Sequence, residues 1–152
     1  MKTVIKSAFI AIISLSIFST AVIAQSLPKG EWRLESYNFM KKIAYPIEKN
    51  EITLNIHEDG RLGGKSGCNV YGGSYSLEDG ELSITGIIST MMACEEPSTQ
   101  FEQTFFRTLE GAKKFELSSG KLTITDPKTA NILRFVRAKR PHKCTPSIYN
   151  LD

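Results

Sequence analysis

Short runs of alternating apolar and polar residues, separated by turn signals, constrain the fold of this chain more than any other feature. In Ile52-Thr53-Leu54-Asn55-Ile56 every second residue is apolar, and this period is typical of a strand with one buried face. The same pattern recurs at residues 32–34, 82–84, 115–117, 122–124 and 133–135. Dipeptides typical of turns separate these runs: Asp59-Gly60, Asp79-Gly80, Ser119-Gly120 and Asp126-Pro127. The spacing predicts a mainly β (α+β) domain, an antiparallel meander closed or nearly closed into a small barrel.

One segment, residues 97–110, has a helical period instead. Its apolar residues Phe101, Phe105, Phe106 and Leu109 fall on one helical face. Pro97 suits the first turn, Glu95 and Glu96 lie near the positive end of the helix dipole, and Gly111 is a stop signal. We expect this face to plug an open end or side of the barrel; an aromatic ligand pocket is the alternative.

The N-terminal segment resembles a secretory signal peptide. Lys2 and Lys6 form a basic start, residues 8–18 are an apolar core, and Val22-Ile23-Ala24 precedes a plausible cleavage point. The core is shorter than the roughly 20 residues of a spanning helix, although an uncleaved anchor is an alternative. No cysteine follows Ala24 closely, so we expect no lipid anchor. The sequence predicts a secreted or periplasmic protein with a signal peptide (1–24), a β-rich domain (25–137) and a flexible C-terminal tail (138–152).

Export changes what the three cysteines mean, because thiols in an oxidising compartment pair into disulfides. Cys68, Cys94 and Cys144 allow three single pairings, among which the sequence does not choose. We favour Cys68 with Cys94, since both lie in the patterned region, at a stabilisation of roughly 3–4 kcal/mol. Cys144 in the tail is then left over, so the chain is a monomer, or a dimer through Cys144.

Charge and chemistry-bearing residues indicate no enzyme, cofactor or metal. The net charge of +3 falls to about +1 without Lys2 and Lys6, which does not indicate a nucleic-acid partner. Alternation places His57 on the solvent side of its strand, without the orienting group that a general base requires. The carboxylate pairs are interpreted as turn and helix-start residues: Glu58-Asp59 and Glu95-Glu96.

Two further motifs are weak. The run Gly63-Gly64-Lys65-Ser66-Gly67 lacks the spacing of a phosphate loop, and we interpret it as a bend at a barrel corner. His142 and Cys144 are too few for a closed metal shell.

The tail residues Lys139, Arg140, His142 and Lys143 form a basic patch that allows weak contact with an anionic membrane surface.

Two sequence blocks carry a resemblance to a known family. Residues 66–75 read Ser-Gly-Cys-Asn-Val-Tyr-Gly-Gly-Ser-Tyr, and residues 89–94 read Ser-Thr-Met-Met-Ala-Cys. Together they resemble the G-C-N…G-x-Y and T-x-M-A-C blocks of the META/HslJ domain family. The resemblance covers about residues 30–137, and the tail with Cys144 departs from the family layout. The signature maps onto Cys68, Asn69, Gly73, Tyr75, Thr90, Met92 and Cys94.

The resemblance implies a small mixed β-barrel with one packed helix, in exported or membrane-associated proteins, and it carries over no catalytic residue. We expect a stress-protective or binding role toward an unknown protein or small ligand. A secreted inhibitor or virulence-type module is an alternative, and a hydrolase-type enzyme is a weaker one. For the signature we favour a structural role: a buried Asn69 satisfying strand groups, with Met92 and Ala93 filling small, irregular space. A ligand-binding surface is the alternative.

Overall fold

A computed structural model describes residues 26–46 and 51–138. The predicted signal peptide, Cys144 and the basic patch of the tail lie outside these residues. Within them the chain forms nine strands and one helix. The strands are β1 (Gly30–Phe39), β2 (Lys42–Ala44), β3 (Thr53–Ile56), β4 (Arg61–Lys65), β5 (Val70–Glu78), β6 (Glu81–Ser89), β7 (Lys114–Ser118), β8 (Lys121–Asp126) and β9 (Asn131–Arg137), and the helix is α1 (Glu96–Glu110).

All of these strands belong to one antiparallel sheet. Its order is β6-β5-β4-β3-β1-β9-β8-β7, and β2 pairs with the distal half of β1. The topology is therefore two consecutive meanders, β3 to β6 and β7 to β9, joined by β1 at the centre of the sheet. The mainly β class and the antiparallel pairing predicted from the alternation are confirmed.

The sheet curls into a half-barrel whose two end strands approach each other at one point. The Leu82 N–H donates a hydrogen bond of 3.0 Å to the carbonyl of Lys113, and the Lys113 ammonium lies 3.0 Å from the Glu81 carboxylate. Because the end strands meet only near β6 residue Leu82, a wide opening remains for α1 to cover.

The core follows the alternation of the strands. Ile52, Leu54 and Ile56 are buried, whereas His57 is exposed as predicted. Trp32 is fully buried on β1, with its indole N–H donating to the Pro28 carbonyl at 2.9 Å. Burial of apolar side chains from both meanders and from α1 builds one continuous core.

The predicted turns are confirmed by their backbone. Asp79 and Gly80 both have positive φ, of 51° and 79°, as a two-residue hairpin turn requires. The glycine-rich run 63–67 divides in two: Gly63 and Gly64 lie inside β4, and Gly67 lies in the loop after it with a φ of 102°. A Cβ on Gly64 would clash with the Thr53 carbonyl, so this glycine permits close strand approach.

Helix α1 begins at Glu96, one residue before the predicted start, and has Pro97 in its first turn. At its end the Gly111 N–H donates to the Arg107 carbonyl at 2.9 Å. The helix packs across the half-barrel against β6, β8 and β9, burying Phe105 and Leu109 completely. No helix in the described ranges is long and apolar enough to cross a membrane.

Candidate functional site

A disulfide joins the two signature blocks. It links Cys68, in the loop after β4, to Cys94, just before α1, with 6.3 Å between the Cα atoms. This is the pairing that we favoured from the sequence. The disulfide holds the start of the helix against the loop between β4 and β5. The two cysteines are 26 residues apart along the chain.

Asn69 lies beside this disulfide and organises the segment after β6. The residue is 4% exposed. Its side-chain carbonyl accepts hydrogen bonds from the Thr90 hydroxyl at 2.8 Å and from the Met92 N–H at 2.9 Å. Asn69 is buried as predicted, but the prediction that it satisfies strand groups is wrong. The main-chain N–H that it binds belongs to Met92, in the loop between β6 and α1.

Glu102, on α1, completes this group and was missed by the sequence reasoning. It is only 8% exposed, and its carboxylate accepts from the Asn69 amide at 2.7 Å, the Asn69 main-chain N–H at 3.3 Å and the Ser66 hydroxyl. A signal existed, because Glu102 shares a helical face with Phe105, three residues on, and Leu109, seven residues on. We call Ser66, Cys68, Asn69, Thr90, Cys94 and Glu102 the signature cluster.

Two signature positions on β5, Gly73 and Tyr75, lie apart from this cluster. Gly73 lies at a register shift between β5 and β6, where a Cβ would come within 3.1 Å of the Thr85 carbonyl. Further along β5, the Tyr75 hydroxyl donates to the His57 carbonyl at 2.7 Å.

The expectation for Met92 and Ala93 is wrong. Met92 is 63% exposed, Ala93 is exposed, and the neighbouring Met91 is 98% exposed. Asn69 binds the main chain of this segment, which turns its side chains outward to solvent.

The acid–base candidates lie on the surface. His57, Glu95 and Glu96 are exposed, and in the described ranges no three His, Cys, Asp or Glu side chains are grouped for a metal. The pKa of Asp59 is held below its ordinary value by the hydrogen bond from the Arg61 side chain, 2.7 Å long. This pair closes the turn before β4.

A second feature, an open cavity of about 860 Å³, lies between α1, the end of β1 and the turn between β8 and β9. Tyr37, Phe39 and Phe101 line it together, with ring centroids 4.7 to 5.8 Å apart. We call it the aromatic groove; its other lining residues are Met40, Pro97, Gln100, Thr104, Arg107, Gly111, Lys113, Asn131 and residues 126–129. The four apolar helix residues predicted to plug the barrel thus divide. Phe105 and Leu109 enter the core, and Phe106 packs against it partly buried. Phe101 lines the groove.

The charges around the groove are unequal. Asp126, its one lining carboxylate, accepts hydrogen bonds from the main-chain N–H groups of Lys128 and Thr129 and from the Thr129 hydroxyl. Among the described residues, Lys113 pairs with Glu81, whereas Arg107 and Lys128 pair with no carboxylate. The groove therefore combines an aromatic floor with two unpaired cations.

The described residues form a curled antiparallel half-barrel crossed by one helix. A disulfide links a Cys-Asn block to a Met-Ala-Cys block, and this combination defines a class of protein. The META domain family model matches residues 25–139, and the chain belongs to this family. It is similar to the heat shock protein HslJ of Escherichia coli K12, with 28% identity over 111 residues, 71% of this chain and 75% of HslJ.

Solved structures share the fold. One is the NMR structure of a protein from Burkholderia xenovorans, with a TM-score of 0.61 and 28% identity over 74% of this chain and 83% of that one. Another is the crystal structure of a DUF4847 family protein from Bacteroides vulgatus, with a TM-score of 0.51 over 74% of this chain and 95% of that one. At 14% identity, the second likeness concerns the fold alone.

Proposed function

We propose that this chain is an exported, non-enzymatic binding protein with a stress-protective role in the periplasm, the envelope or the secreted space. The disulfide between Cys68 and Cys94 carries most weight, because disulfides form and persist in oxidising compartments. The signal-peptide pattern of residues 1–24 agrees with that compartment. The similarity to a relative named for heat shock supports a role under stress.

Two contrasting features favour binding over catalysis. In the signature cluster, the Glu102 carboxylate is surrounded by the donors of Ser66 and Asn69, so its oxygens are committed to holding loops together. The aromatic groove instead exposes apolar rings and unpaired cations to an arriving molecule. An open, largely apolar cavity with a few polar groups is the usual form of a ligand site.

Fusion to alkaline phosphatase, which is active only after export, tests the location. The full chain fused at its C-terminus should give an active reporter, and mass spectrometry should find Gln25 at the mature N-terminus. The matched control lacks residues 1–24 and should be inactive. An inactive full-length fusion that accumulates in the cytoplasm would contradict export.

Heat survival of a deletion strain tests the non-enzymatic role. Alanine at His57, Glu95 and Glu96, with Cys144→Ser, should complement the strain as well as the wild type does. Loss of complementation by a variant with an unchanged melting temperature would favour an enzyme instead.

A secreted inhibitor or virulence-type module is a second candidate, supported by a separate surface. Val70, Ile88, Met91 and Met92 are all more than half exposed, and Val70 is hydrogen-bonded to Thr90 in the loop that carries both methionines. Affinity capture with oxidised residues 25–152 should then recover a saturable protein partner that is lost with Met91→Ser/Met92→Ser. Met40→Ser, equally exposed but on the groove, is the control.

A further inference from the structure

We infer that the aromatic groove binds a single-chain amphipathic anion, with its apolar chain over Tyr37, Phe39 and Phe101 and its anionic head beside Arg107 and Lys128. This inference rests on the proposed binding function and names its ligand class. Neither the family signature nor the named relatives assign a ligand to these residues.

The floor of the groove offers an apolar surface to a ligand. Tyr37, Phe39 and Phe101 pack against the core on one side and remain partly exposed on the other. Covering such rings removes apolar area from water, which is the main favourable term in binding an apolar body. Met40, 85% exposed at the rim, adds a flexible side chain that adapts to a ligand surface.

The shape of the free space favours an elongated ligand. A second cavity of about 140 Å³ adjoins the groove and extends toward the signature cluster, where Ser66 and Gly67 line it. Tyr37, Pro97 and Phe101 line both cavities. A continuous wall shared by a wide space and a narrow one suits an alkyl chain better than a compact ring system.

The cationic side chains at the rim of the groove favour a ligand with a negatively charged head group. Arg107 and Lys128 carry the positive charges that no described carboxylate neutralises. Asp126, the one carboxylate in the lining, is 3% exposed and accepts hydrogen bonds from the Lys128 and Thr129 N–H groups, so one buried carboxylate is set against two exposed cations. Near the end of α1, the Arg107 and Leu109 carbonyls accept from the N–H groups of Gly111 and Ala112. An anion therefore gains attraction from both cations, whereas a cationic amphiphile is repelled by them.

A titration with decanoate, below the concentration at which it forms micelles, tests this site. Oxidised residues 25–152, labelled with ¹⁵N, are titrated at pH 7.5, and amide chemical shifts are followed. We expect saturable shifts confined to the groove, at residues such as Phe39, Met40, Phe101 and Thr104. Decyltrimethylammonium, with the same chain and the opposite charge, should bind at least about tenfold more weakly.

A pair of charge variants gives the matched control. Arg107→Gln/Lys128→Gln should weaken decanoate binding about tenfold and keep the melting temperature, because both side chains are exposed. Arg33→Gln/Lys114→Gln removes the same charge from other exposed positions and should leave the affinity unchanged.

The unfavourable outcomes distinguish the ligand class from the function. Equal affinity for decanoate and decyltrimethylammonium, or for the two double variants, overturns the anionic head while leaving a binding groove. Absence of shifts in the groove with both amphiphiles overturns the inference entirely, and the partner-capture experiment then decides whether the protein binds another macromolecule. Failure of export in the phosphatase fusion overturns the proposed location without altering the affinity of the groove.

Discussion

Two faces of helix α1 are built on opposite principles. On one face, Glu102 joins the signature cluster, which pairs its buried polar groups and is closed by a disulfide. On another face, Pro97, Thr104 and Arg107 line the aromatic groove, which leaves rings and cations facing solvent. The residues that mark the family are concentrated in the closed cluster, so a family signature can record how a fold is held together rather than where a ligand binds.

Removing the disulfide should have the largest effect on the stability of the signature cluster. Cys68→Ala/Cys94→Ala should lower the free energy of unfolding by about 3.5 kcal/mol, because the unfolded chain regains the freedom of a loop of 26 residues. Urea denaturation of protein made in an oxidising compartment measures the loss. Cys144→Ser, which we expect to have no effect, is the control; equal stability of the double variant and the wild type would remove the disulfide from the account.

Glu102→Ala should cost nearly as much, about 3 kcal/mol. The change removes the acceptor of the buried Asn69 side-chain amide and of the Asn69 main-chain N–H, and each unsatisfied group costs about 1–3 kcal/mol. Urea denaturation again reads out the change. Gln103→Ala, its exposed neighbour on the same helix, should stay within about 0.5 kcal/mol. If both variants were equally stable, the carboxylate would not be holding the cluster.

Gly111→Ala tests the groove side of the helix, with an expected loss of about 2 kcal/mol in the free energy of unfolding. A Cβ here would lie 2.7 Å from the Asp126 carboxylate and 3.1 Å from the Arg107 carbonyl, and such overpacking typically costs about 1–3 kcal/mol. Thermal unfolding measures the effect. In Gly72→Ala the nearest atom is 3.8 Å away, so the control should unfold like the wild type. If Gly111→Ala unfolded at the wild-type temperature, the groove wall around Asp126 would accommodate a methyl group without strain, contrary to this prediction.

Tyr71→Phe gives the smallest effect and depends on pH. The hydroxyl donates to the Thr53 carbonyl at 2.9 Å, so its loss should cost about 1 kcal/mol at neutral pH. Burial raises the pKa of Tyr71 above its ordinary value of 10.0. Above pH 10 the unfolded chain therefore loses this proton while the folded chain keeps it, and wild-type stability falls by about 1.4 kcal/mol per pH unit more than that of the variant. Parallel stability curves between pH 9 and 11 would contradict the burial of this hydroxyl.

The helix and six of the nine described strands could be predicted from the sequence because each has a local signal, whereas β2, β4 and β5 have no alternating run that predicted them. The disulfide was favoured only because both of its cysteines lie in the patterned region. Alternation predicted the burial of Ile52, Leu54 and Ile56, and the spacing of Phe101 to Leu109 predicted α1 to within one residue. The signal peptide, the enzyme class, the partners and the location remain predictions.

The signature cluster and the groove could not be predicted, because they depend on contacts between distant segments. Glu102 was visible as an acid on an apolar helix face, but its partner Asn69 lies 33 residues earlier. The exposure of Met92 follows from a main-chain bond to Asn69, which composition does not reveal. Likewise, Tyr37 and Phe101 meet only because α1 crosses the open side of the sheet beside β1.

Amide hydrogen exchange in the oxidised wild-type protein tests the contrast between the signature cluster and the aromatic groove most directly. The N–H groups of Ser66, Asn69 and Met92 bind within the signature cluster, whereas those of Met40 and Thr129 at the groove rim make hydrogen bonds of 3.4 Å. Our account predicts that the cluster amides exchange only through global unfolding and that the rim amides exchange through local opening. Cluster amides that exchange as fast as those of the rim would contradict it.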